Sequence, residues 1–280
     1  MKLDCLKTIL YHLPMHHSMD ERYIEPIPIR QAEILDFARK SGRVGVEPLA
    51  EQFKVTPQTI RKDLNDLCNR GLLHRVHGGA VVSSGVSNVG YGARRTLAAE
   101  AKQQIGRKAA GLIPDDCSII INIGTTTEQV ALALRARVGL RVITNNINVV
   151  NILHGHHDIE VIVTGGSMRH SDGGIVGEAA VELIQQFRVD YAIIGVSAIE
   201  DDGSLLDYDY NEVKVAQAII RNARSTILVA DSMKFERTAP VRIGHLSLID
   251  TLVTDQPLSR EYAQICVENN VNMVIAGEVS

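Results

Sequence analysis

Hydrophobic positions follow two different periods along this chain. Between Arg30 and Val82 they recur at helical spacing. In RQAEILDFARKSG, Ile34, Leu35 and Ala38 share one helical face and Gly42 supplies a stop. RVGV alternates Val44 and Val46 like a small strand. In EPLAEQF, Pro48 suits a first helical position and Leu49, Ala50 and Phe53 make an apolar stripe. After a turn at KVT, TPQTIRKDLNDLCNRG predicts a third helix: Thr56 can cap it, Pro57 open it and Gly71 close it. Ile60, Leu64 and Leu67 lie at i, i+4 and i+7 and form its buried face. Gln58, Lys62, Asn65 and Asn69 fall opposite, with Arg61 beside them. LLHRVHGGAVV then predicts a two-stranded hairpin about His77-Gly78-Gly79.

From Ser118 the pattern becomes short apolar runs alternating with amphipathic stretches. Strands are predicted at 118–123, 140–144, 159–164, 190–196, 226–230, 248–254 and 272–276, with helices such as TEQVALALRA and YNEVKVAQAIIRNA between most of them. Continuous apolar strands with crossover helices predict a doubly wound, mostly parallel α/β sheet covered on both faces. The fold class is therefore α/β, with a winged helix-turn-helix in front. Ser- and Gly-rich SSGVSNVGYG reads as a flexible joint. The expected organisation is an extension over 1–29, a winged helix-turn-helix over 30–83, a linker over 84–96 and a ligand-binding domain over 97–280.

Composition narrows the class. The chain has 280 residues, 45% hydrophobic and 22% charged, which excludes a disordered or collagen-like polymer. Cys5, Cys68, Cys117 and Cys266 are scattered, with no C-x-x-C pair. This argues against a zinc site or redox dithiol and for a reducing cytoplasm. No apolar run approaches the roughly 20 residues of a membrane span. The N-terminal segment is broken by Asp4, Lys7 and Pro14 and lacks a signal-peptide core. The net charge of −4 gives no hint of a nucleic-acid partner, but it averages two unlike parts. Residues 30–80 carry +3 and the remainder −7.

That local charge bears on the third helix. Two helices joined by a short turn, the second with a polar outer face and followed by a hairpin, form a device that reads double-stranded DNA. Thr56, Gln58, Thr59, Arg61, Lys62 and Asn65 are the candidate contacts of the helix; Arg75 and His77 are those of the wing.

Ligands of a doubly wound sheet bind beyond the carboxyl ends of its strands. There the sequence places Gly124-Thr125-Thr126-Thr127 entering a helix, a pattern that suits an anion. Thr144-Asn145-Asn146 can cap a helix or bond a polyol, and at Gly165-Gly166 backbone can approach a ligand. Arg169 can clamp a phosphate, and Asp172, before Gly173, can accept from hydroxyls. Asp207, Asp209, Glu212 and Lys214 follow one strand end, and Lys234 follows another. Each taken singly suits a structural role; together they predict a site for a small polyhydroxylated phosphate. GGIVG is an incomplete dinucleotide fingerprint, and no cofactor is expected. The cluster His154, His156, His157 lacks a carboxylate or cysteine at ligand spacing, so no metal is expected. Thr125 or Ser197 as a nucleophile lacks a visible base.

The run Thr56–Leu64, TPQTIRKDL, with the wing motif HGGA at 77–80, resembles the DNA-binding domain of DeoR-family transcriptional regulators. IGTTT, TNN, TGG, GGIVGEA and ADSMKF are similar to that family's sugar-phosphate effector domain. The resemblance runs from Arg30 to Ile275. It implies a homo-oligomeric repressor, a dimer or tetramer, that binds operator DNA and is released by a phosphorylated polyol or sugar. SDGGIVGEA, QFRVDYAIIGVSAI, DGSLLDYDYNEV and ADSMKFERTA resemble the members that govern glycerol genes and answer sn-glycerol 3-phosphate. The family's effector domain resembles ribose-5-phosphate isomerase, which accounts for the acid–base character of Asp207, Asp209, Glu212 and Lys214. Here Tyr208 and Tyr210 interrupt that segment and the isomerase's glycine-rich run is absent. This implies binding without chemistry. The alternatives are a different sugar phosphate, an isomerase with an accessory DNA-binding module, and a front domain that docks protein.

Overall fold

In the computed structural model, which describes residues 28–41, 43–70, 72–76, 78–82 and 90–277, both periods become elements. The front unit runs α1 (Ile29–Ser41), β1 (Arg43–Gly45), α2 (Val46–Phe53), α3 (Pro57–Asn69), β2 (Leu73–Val76) and β3 (Gly79–Val82). Helix α2 starts at Val46, so Pro48 lies within its first turn, where a missing N–H costs nothing. Helix α3 starts as expected: the Thr56 hydroxyl accepts the Thr59 amide at 3.2 Å and Pro57 follows. The three strands pair antiparallel in the order β1-β3-β2, so the small strand joins the hairpin. Ile34, Ala38, Leu49, Ile60, Leu64 and Leu67 meet in one core. Asp63 on α3 is also buried. It accepts from Arg30 Nε at 2.6 Å and Gln31 Nε2 at 3.2 Å, tying α3 to α1.

Beyond it come α4 (Tyr91–Thr96), α5 (Ala99–Gly111), β4 (Ser118–Ile121), α6 (Thr125–Leu134), β5 (Leu140–Thr144), α7 (Ile147–Leu153), β6 (Ile159–Val163), β7 (Ser167–Met168), β8 (Ile175–Val176), α8 (Glu178–Gln185) and β9 (Val189–Ile194). The chain continues with β10 (Ala198–Ile199), β11 (Ser204–Asp207), α9 (Tyr210–Arg221), β12 (Ala223–Val229), β13 (Val241–His245), β14 (Thr251–Thr254), α10 (Arg260–Glu268) and β15 (Asn272–Ile275). All seven predicted strands enter one parallel sheet, ordered β15-β14-β12-β9-β4-β5-β6. Each central strand feeds two cores. Ile119 and Ile121 of β4 pack with Ile105, Val130 and Leu134, whereas Ile120 packs with Ile194, Ile219 and Leu228 on the other face.

Three features depart from the sequence reading. The stretch 84–96 is expected to be a linker, but Tyr91–Thr96 forms α4, and α5 follows from Ala99. The run expected as a strand over 248–254 yields β14 only from Thr251, after a 3-10 turn at Leu246–Leu248. A small antiparallel sheet, β10-β11-β13, and the hairpin β7-β8 were not predicted. Residues 1–27 of the extension, Gly42, Gly71, His77 and residues 83–89 of the joint lie outside the described residues. No helix among the described residues is long and apolar enough to cross a membrane.

Candidate functional site

The order of strands fixes where a ligand can enter. From β4 the chain builds outward through β5 and β6, then returns to the other side of β4 with β9 and continues through β12, β14 and β15. The direction reverses between β4 and β9, so a crevice opens beyond their carboxyl ends. A narrow cavity of about 20 Å³ lies there, lined by Gly124, Thr125, Thr126, Ser197, Asp207, Glu212, Lys234 and Arg94 among others.

Its floor is the start of α6. Gly124 is the N-cap, at φ 153°, and provides no side chain to satisfy the helix. The first intrahelical bond runs from the Glu128 amide to the Gly124 carbonyl, which leaves the amides of Thr125, Thr126 and Thr127 for another acceptor. Thr127 turns inward: its hydroxyl donates to the carbonyls of Asn122 and Gly124, both at 2.8 Å. Three free N–H groups and the positive end of a helix make a place for an anion.

Cations stand over that floor. Lys234 enters from the 3-10 turn Ser232–Glu236. Burial lowers its ammonium to about 8, with the Asp231 carboxylate pulling the other way. Arg94 enters from α4. Its guanidinium touches Asp172 at 3.3 Å, and its Nε is buried with no partner.

The carboxylates form the other wall. Asp207 is buried and accepts from Ser197 Oγ at 3.0 Å and the Tyr208 amide at 2.7 Å. Glu212 is held by Arg169 at 2.6 Å. Burial pushes the carboxyl groups of Asp207 and Glu212 upward, and Asp207 raises Glu212 further against the pull of Arg169. Asp209 caps α9 by accepting the Glu212 amide at 2.9 Å. A pair of acceptors with raised proton affinity, opposite a cationic floor, suits a ligand with hydroxyls at one end and phosphate at the other.

The remaining predicted residues divide by place. Arg169 does not present a free clamp: two of its nitrogens meet Asp172 at 2.7 and 3.1 Å, and it also reaches Glu212 and Asp209. Asp172 is committed to Arg169, Arg94 and the Gly174 amide, so it orients cations rather than waiting for a hydroxyl. Thr144 donates to the Ile121 carbonyl and Asn145 to the Ile175 carbonyl, both fully buried. Asn146 caps α7 and donates to Glu128 at 3.2 Å. Gly165 and Gly166 lead from β6 into the β7-β8 hairpin, and Gly173 sits in its turn. Lys214 is not brought in: α9 points it outward, with Nζ 5.2 Å from the Tyr210 ring. Glu212 and Lys214 are two apart on a helix, so they cannot share a face. Arg94 and Glu128 are absent from the sequence reading, and Ser197 entered it only as a nucleophile without a base. Arg94 lies in 84–96, the stretch expected to be a linker.

On the front unit, Gln58, Arg61, Lys62 and Asn65 are exposed on one face of α3, and Arg75 is exposed on β2. Arg61 reaches Glu47 at 3.6 Å on the surface. Thr56 and Thr59 bond each other at 2.9 Å at the start of the helix. His77 lies outside the described residues. Among the described residues no cluster of metal-ligating side chains forms.

A helix with an exposed polar face, a wing, and a parallel sheet with a polar crevice define the class of a DNA-binding regulator with a ligand-binding domain. The chain matches the DeoR-like helix-turn-helix domain over residues 30–86 and the DeoR C terminal sensor domain over residues 97–256, and it belongs to the DeoR family. It is 43% identical over 244 residues to the glycerol-3-phosphate regulon repressor of Escherichia coli, covering 87% of this chain and 97% of that protein. It is 46% identical over 226 residues to the repressor of the same name from Haemophilus influenzae, covering 81% and 88%. Among solved structures, a translation initiation factor eIF-2B from Pyrococcus horikoshii aligns with a TM-score of 0.43 at 17% identity, over 80% of this chain and 94% of that one. A D-ribose-5-phosphate isomerase with phospho-erythronic acid aligns with a TM-score of 0.38 at 17% identity, over 49% and 54%.

Proposed function

We propose that this chain is a transcriptional repressor of glycerol 3-phosphate metabolism genes, released from operator DNA when sn-glycerol 3-phosphate enters the crevice between β4 and β9. The observation that carries this reading is one chain that joins the α3 face to a floor of free α6 amides beside Lys234 and Arg94. The identity to repressors named for that regulon extends over both parts.

The phosphate takes the amides of Thr125, Thr126 and Thr127 and the charges of Lys234 and Arg94. The glycerol hydroxyls bond Asp207, Glu212 and Ser197. Catalysis is not part of this reading: Glu212 is engaged by Arg169 and Asp207 by Ser197 and the Tyr208 amide, so neither is a free base. Gln58, Arg61, Lys62 and Asn65 read base edges, Arg75 meets phosphate, and pairs of front domains in a homo-oligomer dock on palindromic operators. Release requires that the effector bind the DNA-incompetent arrangement more tightly than the competent one.

A thermal-shift panel on the full chain, followed by operator release, tests the reading. The panel holds sn-glycerol 3-phosphate, glycerol, inorganic phosphate, ribose 5-phosphate and hexose phosphates. The largest shift and complete release are expected with sn-glycerol 3-phosphate. A larger effect from another sugar phosphate would reassign the effector, and turnover of ribose 5-phosphate would restore the isomerase.

A further inference from the structure

Helix α4 lies where a loose tether is expected, and three separate groups hold it over the crevice. The Tyr91 hydroxyl donates to Glu128 on α6 at 2.8 Å, and Glu128 also accepts from Asn146 and Asn148. Arg94 meets Asp172 in the β7-β8 turn, with its guanidinium 5.9 Å from the Tyr91 ring. Lys102 on α5 is buried and donates its ammonium to the carbonyls of Arg94 and Leu97, the latter at 2.7 Å. The Arg94 carbonyl belongs to the last turn of α4 and Leu97 follows directly after it, where carbonyls run out of intrahelical partners. Between the two helices Ala98 sits at φ 52°, a left-handed conformation that a Cβ disfavours. The joint is a strained bend locked by one buried lysine.

Within this frame Arg94 keeps spare bonding capacity. Asp172 already has Arg169 at 2.7 and 3.1 Å and the Gly174 amide at 3.2 Å, so its charge is satisfied without Arg94. The Arg94–Asp172 contact is the longer one, at 3.3 Å, and the buried Arg94 Nε has no acceptor. An anion on the α6 amides supplies what that guanidinium lacks. Only residues 83–90 separate α4 from β3 of the wing.

We propose that Arg94 is a phosphate ligand of the effector, and that through it helix α4 reports occupancy of the crevice to the DNA-binding domain. This rests on the effector reading above. The phosphate competes with Asp172 for Arg94, and the turn of that side chain shifts α4 on its bent joint. Tyr91 and Lys102 touch no effector atom; they are positioning residues that set how far α4 follows.

The test uses the full chain, with sn-glycerol 3-phosphate binding read by isothermal titration and operator release by fluorescence anisotropy. Arg94→Gln is expected to weaken effector binding about tenfold or more, as loss of a charged hydrogen bond does. Tyr91→Phe and Lys102→Met are expected to hold effector affinity within about twofold, since neither side chain meets the ligand. Both variants are expected to need several times more effector for half release, and Lys102→Arg to restore part of the response. A merely structural role would lower the melting temperature without splitting binding from release. Wild-type affinity in Arg94→Gln, or wild-type release in both positioning variants, overturns the proposal. Loss of binding in Lys234→Ala with retention in Arg94→Gln leaves the effector site standing and removes Arg94 from it. No binding by the unaltered chain overturns both.

Discussion

Raising the pH through the titration of Lys234 is expected to weaken effector binding, and the size of the loss follows from where that lysine sits. Burial lowers its ammonium from 10.5 to about 8; Arg237 and Arg94 push the same way, while Asp231 and Asp207 oppose them. The phosphate dianion needs the charged form, so binding takes up a proton once the pH passes 8. The protonated fraction falls from about nine-tenths at pH 7 to about one-tenth at pH 9, and affinity falls about tenfold with it. The ligand's own charge is steady in this window, because a phosphate monoester loses its second proton near about pH 6. Stability changes in the opposite sense. Between pH 8 and 10.5 the unfolded chain holds a proton that the folded chain lacks, so the fold gains stability as the pH rises. Affinity, rather than melting temperature, is therefore the quantity to measure, by isothermal titration at pH 7, 8 and 9. Lys102 also titrates near 8, but its ammonium is bonded to the carbonyls of Arg94 and Leu97. Lys234→Arg separates the two, since a guanidinium stays charged throughout. A flat profile in the unaltered chain, or the same fall in Lys234→Arg, refutes the reasoning.

Two further substitutions probe the other parts of the molecule. Arg61→Ala removes an exposed cation whose surface pair with Glu47 adds little, so stability and effector affinity are expected to hold. Operator affinity is expected to fall by about 1–3 kcal/mol in a gel shift, and an unchanged value counts against docking through α3. Gly106→Ala places a Cβ 2.6 Å from the Gln129 carbonyl carbon, where α5 crosses α6. The helices must separate, at a cost of about 1–3 kcal/mol that outweighs alanine's gain as a helix former. A melting temperature equal to that of the unaltered chain contradicts the close approach.

Much of the fold was legible because period and partner coincide. Ile60, Leu64 and Leu67 face the core in α3 as their spacing demands. The apolar runs became the parallel sheet because the central ones feed a core on both sides. Asp63 shows the limit: a carboxylate one residue from the apolar stripe reads as a solvated position, yet it is buried against Arg30 and Gln31, which are distant in sequence. Helix α4 shows it again. YGARRT has no apolar stripe of its own, and its helix is held by Glu128, Asp172 and Lys102 from three other segments. A six-residue helix is too short to persist on propensity alone.

By itself the sequence determined the two architectures, the exposed polar face of α3, and the strand ends that bear glycines, threonines and carboxylates, because these depend on local period and on which residue types end a strand. Only the tertiary structure decided which strand ends meet. The order of strands puts the reversal between β4 and β9. It sets Arg169 against Glu212 and brings Arg94 over the α6 amides. Those outcomes depend on contacts across scores of residues, and no spacing within one segment encodes them.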